Sequence, residues 1–444
     1  MVRLTHVFNR LEERKVLVAG DFMVDRYTFG KSKRISPEAP VPVILVDYEE
    51  ERAGGAGNVV LNLVSLGMKV TALGRVGDDA AGQVVKSSLA KENVETSAIF
   101  CQNGFQTPQK ARIIASNQQI VRIDYETITP LDQILEAEIV DAIDAVVQFQ
   151  DIIAISDYAK GFLTDTILQA IIKAARKYNI PVIVDPKGTE FTKYNQVTVL
   201  KPNLSEAYAA SNLPGRPLTE VAAAIFKKVS VDVLMITRSE AGISLYYPDG
   251  SYEDHPVQVK QLRDVTGAGD TVLAVLCCAL ANGLSLSEAT TLSNIAATVA
   301  VERVGCARVT LSEIARRMIE LHAPSKVFEN AHSSALVQVL KGKEFIQLQL
   351  PSDCKVDADL LRCLRKLAND KVKESKELVV TISDPGLDED IISVLASLKD
   401  IDYIHITPNE SEACIFQGNQ AIKPFQVFEF KKPDLVVQIK NCSS

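Results

Sequence analysis

Short β-rich runs alternate with helical patterns along the first two thirds of the chain. The composition of a buried strand occurs at Lys15–Ala19, Val70–Val76 and Ile152–Ser156. Helical spacing occurs at Val59–Leu66, between the first two of these strands, and at Thr164–Tyr178, after the third. Strands that are separated by helices pair in parallel, because each helix returns the chain to the same edge of the sheet. The pattern therefore predicts an α/β fold with a helix-covered parallel sheet.

Two segments depart from this alternation. Pro40–Tyr48 is a β-rich run, and Gln109–Asp124 contains a polar Ser-Asn-Gln-Gln turn. Such runs are typical of exposed strands joined by a tight turn. We expect them to form a small antiparallel accessory sheet.

The composition changes near residues 322–334, where Ala, Pro, Ser, Asn and His cluster. Such a stretch is typical of a linker. Beyond it, strand and helix patterns alternate again, which predicts a second, smaller Rossmann-like α/β domain. We therefore divide the chain into a first domain over 1–321, a linker over 322–334 and a second domain over 335–444.

Charge and cysteine content exclude several classes of protein. Lys and Arg total 48 against 56 for Asp and Glu, which gives a net charge of −8 and argues against nucleic-acid or anionic-membrane binding. No apolar run approaches the roughly 18 residues that a membrane span needs, and the first residues lack the apolar core of a signal peptide. The eight cysteines include no CxxC pair, as expected for free thiols in the cytoplasm.

The most informative motif is Asp-Val-Thr-Gly-Ala-Gly-Asp at 264–270, which is followed directly by an apolar helical stretch. Small residues at a helix start let backbone N–H groups converge on an anion. A carboxylate beside them, at Asp270, could accept a proton from a hydroxyl group. Phosphoryl transfer needs both features, although a glycine turn capped by an aspartate would give the same string.

A second motif, Gly-Gly-Ala-Gly-Asn at 54–58, precedes a predicted helix. Glycines allow the backbone to approach a ligand, and the Asn58 amide offers a donor and an acceptor for sugar hydroxyls. A glycine loop with an asparagine cap explains the string equally well. A dinucleotide site is disfavoured, because the spacing is not GxGxxG.

Together the two motifs resemble the signatures of the ribokinase-like (PfkB) carbohydrate kinases. The resemblance extends over about residues 16–321 and implies an ATP-dependent sugar kinase with a β lid, here formed by strands within about 22–48 and 107–126. It implies that Asp270 is the catalytic base and that Gly267, Ala268 and Gly269 form the anion hole.

Further strings resemble the heptose 7-phosphate kinases within this family, among them Arg-Ile-Ser-Pro-Glu-Ala-Pro at 34–40 and Ser-Asp-Tyr-Ala-Lys-Gly at 156–161. That resemblance implies phosphorylation of D-glycero-D-manno-heptose 7-phosphate at its anomeric hydroxyl, in ADP-heptose and lipopolysaccharide core synthesis. Basic residues in loops and lid strands could hold the substrate phosphate. The expected sugar-phosphate ligands are Asp21, Arg34, Gly54, Gly55, Asn58, Lys110, Arg112, Asn117, Gln118, Arg122, Asp157, Lys160 and Lys187.

Asn203 and Glu206 resemble the NxxE motif of the same family, which implies that they organise Mg²⁺ and its waters near the ATP phosphates. A hard cation with oxygen ligands suits these side chains. The same residues would also form a helix capping box. Thr237, Gly242 and Asn294 lie where relatives hold the ribose and adenine of the nucleotide.

The second domain weakly resembles a nucleotidyltransferase without its catalytic motif. That chemistry uses HxGH after the first strand, and here the corresponding stretch reads Pro-Ser-Asp-Cys-Lys-Val-Asp at 351–357. The five histidines include no pair three positions apart, so a displaced motif is excluded too. We expect a degenerate domain without adenylyltransferase activity; an unrelated α/β appendage remains the alternative.

Alternatives to a heptose 7-phosphate kinase are a kinase for another sugar phosphate and a non-catalytic sugar-phosphate-binding regulator. An intact Asp270 beside the small-residue string favours catalysis. Exposed lid strands are candidates for pairing between subunits, so a homodimer is expected.

Overall fold

The computed structural model describes residues 7–8, 10–115, 118–257, 265–303, 305–322, 326–328, 332–351, 357–374, 376–383, 389–407 and 426–429. They fall into two compact units. One comprises Glu12–Thr310, and the other comprises Leu311–Ser444 together with Met1–Leu11.

The strands and helices of the first unit alternate along the chain as the sequence predicts. Its strands are β1 (Lys15–Ile35), β2 (Pro42–Gly55), β3 (Lys69–Gly77), β4 (Ile99–Gln102), β5 (Gln109–Ala115), β6 (Gln118–Tyr125), β7 (Ile152–Ser156), β8 (Val182–Asp185), β9 (Val199–Leu200), β10 (Val233–Thr237), β11 (Ile243–Tyr246) and β12 (Tyr252–His255). Its helices are α1 (Ala56–Ser65), α2 (Ala80–Ala90), α3 (Gln133–Val147), α4 (Asp165–Lys177), α5 (Leu204–Ser211), α6 (Leu218–Phe226), α7 (Ala268–Ala281) and α8 (Leu286–Val301).

A large sheet forms the centre of this unit, with the strand order β12-β11-β10-β9-β8-β7-β1-β3-β4. Pairing is parallel from β10 to β4 and antiparallel at the β10–β11 and β11–β12 edge. The central strands are fully buried, as expected when helices cover both faces of a parallel sheet. The predicted parallel α/β core is confirmed.

The helices follow from amphipathic patterns with defined starts. In α4, Thr164 accepts the Ile167 N–H at the N-terminus, and Arg176 and Lys177 occupy the last turn, where cations favour the helix dipole. Its buried residues, such as Ile171, join a core formed with strands β1 and β7. The helices thereby fix the strands whose ends carry the polar residues described below.

The lid grows out of the core because β1 does not stop at its edge. Residues 15–21 pair with β3 in the core, and residues 22–35 continue outward to pair with β2. β5 adds in parallel on β1, and β6 adds antiparallel on β5. The expectation of a purely antiparallel accessory sheet is therefore wrong. β5 runs in the same direction as the outer part of β1, so the two strands pair in parallel.

The second unit has a five-stranded, all-parallel sheet with the order β13-β16-β15-β14-β17. Its elements are α9 (Leu311–His322), β13 (Val327–Phe328), α10 (Ser333–Leu340), β14 (Phe345–Leu350), α11 (Ala358–Glu374), β15 (Glu377–Ser383), α12 (Glu389–Ser397), β16 (Tyr403–Thr407) and β17 (Gln426–Glu429). Leu348, Leu364 and Ile404 belong to its apolar core. The predicted smaller α/β domain is confirmed.

The division between the units does not fall at the linker predicted over 322–334. It falls at Thr310, because α9 packs against α10 of the second unit. The composition of 322–334 gave no indication of which sheet the preceding helix would join. The last of the alternating strand patterns of the second domain, at 434–439, lies outside the described residues.

Among the residues that the structure describes, none of the helices combines the length and the apolar character needed to cross a bilayer.

Candidate active site

The carboxyl ends of parallel strands gather polar residues at one edge of the first unit. Asp21 lies near the core end of β1, Asp157 follows β7 and Lys201 follows β9, while Asp185 ends β8. Ligands in open α/β sheets bind outside this edge. The candidate site is therefore built from loops that a rigid sheet positions.

The glycine motif forms the start of α7. Gly267 has φ of +77° and stands at the N-cap, while Ala268 and Gly269 open the first helical turn. N–H groups in a first turn lack intrahelical partners, so they can bind an anion. A Cβ atom at Gly267 would lie 2.8 Å from Nδ2 of Asn58, so only glycine fits this close approach. The Ala268 N–H donates to the Val265 carbonyl at 3.2 Å, so the anion hole over Gly267, Ala268 and Gly269 stays a prediction.

Asp270 is buried in this first turn and is held by two donors. Nδ2 of Asn58 donates to Oδ2 of Asp270 at 2.7 Å, and the hydroxyl of Tyr158 donates to Oδ1 at 2.7 Å. Burial raises the pKa of Asp270 to about 6, against the opposing effect of these two hydrogen bonds. Each carboxylate oxygen keeps a second lone pair, so a substrate hydroxyl can still bind.

Asn58 itself is fixed within α1. Nδ2 of Asn62 donates to the Asn58 carbonyl at 2.9 Å, and Oδ1 of Asn62 accepts the Val309 N–H at 3.2 Å. The preceding glycines end β2 rather than forming a loop. A Cβ atom at Gly54 would lie 2.2 Å from a carboxylate oxygen of Asp25, which explains the glycine at this position.

Asp21 and Asp157 shape the loop after β7. The carboxylate of Asp21 accepts backbone N–H groups of Tyr158 at 2.9 Å and Lys160 at 3.0 Å. Asp157 accepts the hydroxyl of Tyr194 and the ammonium of Lys193, each at 2.6 Å. Burial, and then the charge of Asp157, raise the pKa of Asp21. Asp21 and Asp157 were both predicted to bind the sugar phosphate, and in the structure both bind protein groups that shape the site.

Two lid cations of β5 lie on the face that the lid presents to Tyr158 and Cys306. Arg112 forms a buried ion pair with Asp25, and its guanidinium carbon lies 5.3 Å from the centre of the Tyr27 ring. The ammonium of Lys110 lies 5.3 Å from the centre of the Tyr158 ring, and burial lowers the pKa of Lys110. Within the described residues, Lys110 has no ion-pair partner, so it is free to bind an anion.

The other predicted phosphate ligands lie further out on the lid or are paired elsewhere. Arg34 is exposed on β1, and Gln118 is exposed at the start of β6. Arg122 is half exposed and pairs with Asp124 at 2.9 Å, whereas Lys160 pairs with Glu126 at 2.7 Å. Asn117 lies outside the described residues. The structure therefore brings Lys110 and Arg112 towards the site, and leaves Arg34, Gln118 and Arg122 on exposed strands.

Asp185 and Lys201 stand beside the anion hole. Their side chains pair at 2.9 Å, and both lie within 4 Å of the position that a Cβ atom would take at Gly269. Burial raises the pKa of Asp185, and Lys201 opposes that shift. The pair places a buried cation next to the N-terminus of α7, where phosphate charge would need neutralising.

Asn203 and Glu206 form the capping box of α5 and also meet a lysine. Oδ1 of Asn203 accepts the Glu206 N–H at 2.9 Å, and Oε2 of Glu206 accepts the Asn203 N–H at 3.0 Å. The ammonium of Lys187 donates to Oε1 of Glu206 at 2.7 Å. Lys187, predicted as a sugar-phosphate ligand, therefore lies with the predicted nucleotide residues. Both interpretations of this motif, cap and cation ligand, remain compatible with the geometry.

Thr237, Gly242 and Asn294 lie around the end of β10 and the β11–β12 edge. The Thr237 N–H donates to the Pro202 carbonyl at 3.1 Å, which ties it to the Asn203 loop. Gly242 has φ of +86°, and Nδ2 of Asn294 donates to the His255 carbonyl at 2.8 Å. Asn294 thus braces α8 against β12.

Tyr158, Lys201 and Asp25 were not among the predicted site residues. Tyr158 belongs to the Ser-Asp-Tyr-Ala-Lys-Gly string at 156–161, directly after the predicted ligand Asp157, and this position could have identified it as a candidate site residue. Nothing in the sequence indicates that its hydroxyl reaches Asp270, which is 112 residues away. The contact follows from the sheet order, which no local pattern encodes.

Comparison with known families decides the relationship. The pfkB family of carbohydrate kinases matches residues 13–314. The chain belongs to the pfkB family of carbohydrate kinases. The match covers the lid, the glycine motifs and α7, so the resemblance seen in the sequence is confirmed.

Relatives of this pfkB-family chain include bifunctional proteins. It is 44% identical over 311 residues to the bifunctional protein HldE of Trichlorobacter lovleyi. The aligned region covers 69% of this chain and 63% of that protein. It is 32% identical over 460 residues to the HldE protein of Syntrophotalea carbinolica, covering 98% of this chain and 89% of that protein. The first of these matches spans less than two thirds of the relative's own length.

Solved structures share the fold of the first unit. Arabidopsis thaliana ribokinase, complexed with ribose and ATP, covers 69% of this chain with a TM-score of 0.54 and 20% identity. Phosphofructokinase-2 of Escherichia coli, in complex with substrates and products, covers 70% with a TM-score of 0.57 and 20% identity. Both confirm the predicted ribokinase-like fold.

Proposed function

We propose that this protein transfers the γ-phosphoryl group of ATP to the anomeric hydroxyl of D-glycero-D-manno-heptose 7-phosphate. The observation that carries the proposal is the buried Asp270 at the N-terminus of α7, with the ammonium of Lys110, which has no ion-pair partner among the described residues, on the lid strand β5. The products would be the 1,7-bisphosphate and ADP. The relatives named HldE support a heptose 7-phosphate kinase. We propose in addition that the product serves ADP-heptose and lipopolysaccharide core synthesis.

The chemistry follows from the charges around Asp270. Its carboxylate accepts the proton of the anomeric hydroxyl as the oxygen bonds to the γ-phosphorus, and the bond to the β-phosphate oxygen breaks. Backbone N–H groups in the first turn of α7, with the Lys201 ammonium, would face the charge on the transferring group. The Ala268 N–H is the exception, since it donates to the Val265 carbonyl at 3.2 Å. Lys110 and Arg112 would bind the 7-phosphate, which keeps the sugar oriented.

Mg²⁺ would fit beside Asn203 and Glu206 only with water molecules between the cation and these side chains. Both oxygens of Glu206 already accept hydrogen bonds, and the described residues contain no group of three or more His, Cys, Asp or Glu side chains that could hold a metal. Asn203 and Glu206 would therefore hold the cation through its waters, as is usual for Mg²⁺ bound to nucleotide phosphates. Bound there, the cation would neutralise phosphate charge.

We propose that the second unit does not transfer nucleotides. The sequence lacks HxGH, and His405, the histidine in its sheet, is buried and hydrogen-bonded to Ser333 at 2.7 Å. Incubation of the protein with heptose 1-phosphate, ATP and Mg²⁺ should give no ADP-heptose above the blank. Pyrophosphate released in step with ADP-heptose would contradict this proposal.

We also propose a cytoplasmic homodimer that associates through the lid. Val121, Ile123 and Tyr125 of β6 are exposed apolar side chains on an edge strand, as are Leu45 and Val46 on β2. Unpaired edges with apolar side chains favour pairing between copies. Sedimentation should show a dimer, and Ile123→Lys should give monomers if the lid is the interface.

An ADP-release assay over a panel of sugars and sugar phosphates tests the kinase proposal. The heptose 7-phosphate should give the highest kcat/KM, and the unphosphorylated heptose should lose most of it because Lys110 then has no phosphate to bind. If a ketohexose phosphate gave a higher kcat/KM than the heptose 7-phosphate, the protein would be a sugar-phosphate kinase with a different substrate. Binding of sugar phosphate without any ADP release would indicate a regulatory protein instead.

A further inference from the structure

Tyr158 connects the catalytic carboxylate to the lid through a single side chain. Its hydroxyl donates to Oδ1 of Asp270 at 2.7 Å, while the Lys110 ammonium lies 5.3 Å from the centre of its ring. Burial raises the pKa of Tyr158 well above its usual value, so the hydroxyl keeps its proton and acts as a donor. One residue thus touches both the proposed base and the cation proposed to bind the acceptor phosphate.

The backbone around Tyr158 is held by several independent contacts. Asp21 accepts the N–H groups of Tyr158 and of Lys160, and Asp157 accepts the N–H of Ala159 at 2.7 Å. Ala159 has φ of +55°, a left-handed conformation that such contacts must maintain. The buried guanidinium of Arg75 donates to the Lys160 carbonyl at 2.9 Å. This much support is more than a surface loop needs, and it fixes the direction of the tyrosine ring.

We propose that Tyr158 is a positioning residue, whose hydroxyl orients the Asp270 carboxylate and whose ring places the Lys110 ammonium, so that the acceptor phosphate and the base are aligned across one side chain. This inference rests on the kinase function proposed above. It assigns two separable tasks to one residue. The hydroxyl acts on turnover, and the ring acts on binding of the sugar phosphate.

The charges that face Asp270 set the expected pH dependence. Tyr158 and Asn58 donate to the carboxylate, and together with the charge of Lys201 they lower its pKa. Burial and the charge of Asp185 raise it. The Cys306 thiol also interacts with Asp270, and burial raises the pKa of Cys306 to about 12, so the thiol stays neutral. Removing the tyrosine hydroxyl must therefore move the pKa of Asp270 upward.

Two substitutions separate the two tasks. Tyr158→Phe keeps the ring, so kcat should fall about 10-fold or more while KM for the sugar phosphate changes less than about twofold. The acid limb of its pH profile should move to higher pH. Tyr158→Leu removes the ring as well, so KM for the sugar phosphate should also rise, with KM for ATP unchanged. Tyr178→Phe is the matched control, because that hydroxyl also donates to a carboxylate, Asp144, outside the site.

A direct titration keeps this inference distinct from the proposed substrate. The carbon-13 shift of the Asp270 carboxyl, assigned with Asp270→Asn, should titrate at higher pH in Tyr158→Phe than in the wild type. If Asp270 titrates at higher pH in Tyr158→Phe but the protein does not phosphorylate heptose 7-phosphate, the proposed substrate is refuted and the positioning role of Tyr158 is retained. Unchanged titration and unchanged kcat in folded Tyr158→Phe would overturn the inference, and so would a KM effect of equal size in both Tyr158 variants.

Discussion

Asp270 is the residue on which the proposed chemistry depends most directly. We expect Asp270→Asn to lose about 10² to 10⁴ in kcat, because the amide keeps the shape of the side chain but cannot take the proton. The measurement is ADP release at saturating substrates, with calorimetric binding of ATP and sugar phosphate as the check on the site. A variant that binds both ligands and keeps more than about a tenth of wild-type turnover would remove Asp270 from this role.

Lys110 is a sharper test of the acceptor phosphate than Arg112. Arg112→Ala would leave the buried carboxylate of Asp25 without its partner, so a loss of stability would accompany any loss of binding. Lys110→Met keeps the length of the side chain and removes only the charge. We expect KM for the sugar phosphate to rise about 10- to 100-fold, as for a charged hydrogen bond worth roughly 1.5–3 kcal/mol, with KM for ATP unchanged.

The matched control for this prediction is Lys177→Met, since the Lys177 ammonium pairs with Asp144 on the surface of α3 and α4. Its KM values should equal those of the wild type. If Lys110→Met also kept the KM values of the wild type, the phosphate site would lie elsewhere on the protein.

The sequence identified some site residues and missed others for one physical reason. Asp270, Asn58 and the glycines lie in short strings whose chemistry is local, so their residue types alone indicated the site. The contacts of Tyr158 and Lys201 depend on which strands are neighbours in the sheet. Lys187 lay in a family-like string, yet it pairs with Glu206 because β8 and α5 bring them together. Spacing along the chain does not contain that information.

At the level of elements, the entry into α7 determines whether the anion hole forms. Gly267 adopts φ of +77°, and an added Cβ atom would meet Nδ2 of Asn58 at 2.8 Å. Gly267→Ala therefore adds backbone strain of roughly 1–2 kcal/mol and also displaces the donor to Asp270. We expect kcat to fall at least about 10-fold, measured by ADP release, because the displaced donor is a hydrogen-bond partner of the base.

Gly215→Ala separates the two effects of this substitution. Gly215 has a similar φ of +73°, and no atom lies within 4 Å of an added Cβ atom there. Both variants should lose stability in urea through the positive φ, with the larger loss in Gly267→Ala because its Cβ atom also meets Asn58, and only Gly267→Ala should lose turnover. Equal turnover in the two would show that α7 tolerates the shift of Asn58.

The course of β1 was the element least accessible to prediction. Its first residues form a continuously buried strand, and the sequence predicted an end near Ala19. No glycine or proline turn interrupts 20–35 in a way that requires a stop, and the strand continues into the lid. Pairing of its outer half with β2 and β5 stabilises that extension, and tertiary pairing of this kind overrides local propensity.

At the scale of the whole molecule, the two units rely on different kinds of interior. The first unit has several buried polar groups at the carboxyl edge of its sheet, where they line the candidate site. The second buries Gln347, Thr381 and His405 within the sheet itself, where Nε2 of His405 pairs with the Ser333 hydroxyl and its Nδ1 meets no hydrogen-bond partner among the described residues. Alternating strand and helix patterns predicted both sheets, but they did not predict a polar stripe inside the second.

That stripe makes the second unit sensitive to acid. Burial lowers the pKa of His405 to about 4, from about 6.5 in an unfolded chain, so the folded unit holds the neutral ring. The unfolded chain binds the proton first as the pH falls, so the contribution of His405 is complete above about pH 6.5 and is lost between there and about pH 4. The whole loss is about 3 kcal/mol.

His405→Gln should remove this dependence, because glutamine can still accept the Ser333 hydroxyl but does not titrate between pH 7 and 4. Hydrogen exchange of the backbone amides of β14–β16 measures the opening of the second unit specifically. In the wild type the opening free energy should fall steeply from pH 6.5 to 5, and in the variant it should fall less. His255→Gln removes a histidine of the first unit and should leave the slope unchanged. The same steep fall in His405→Gln would mean that acid opens the second unit through its carboxylates, with His405 as a bystander.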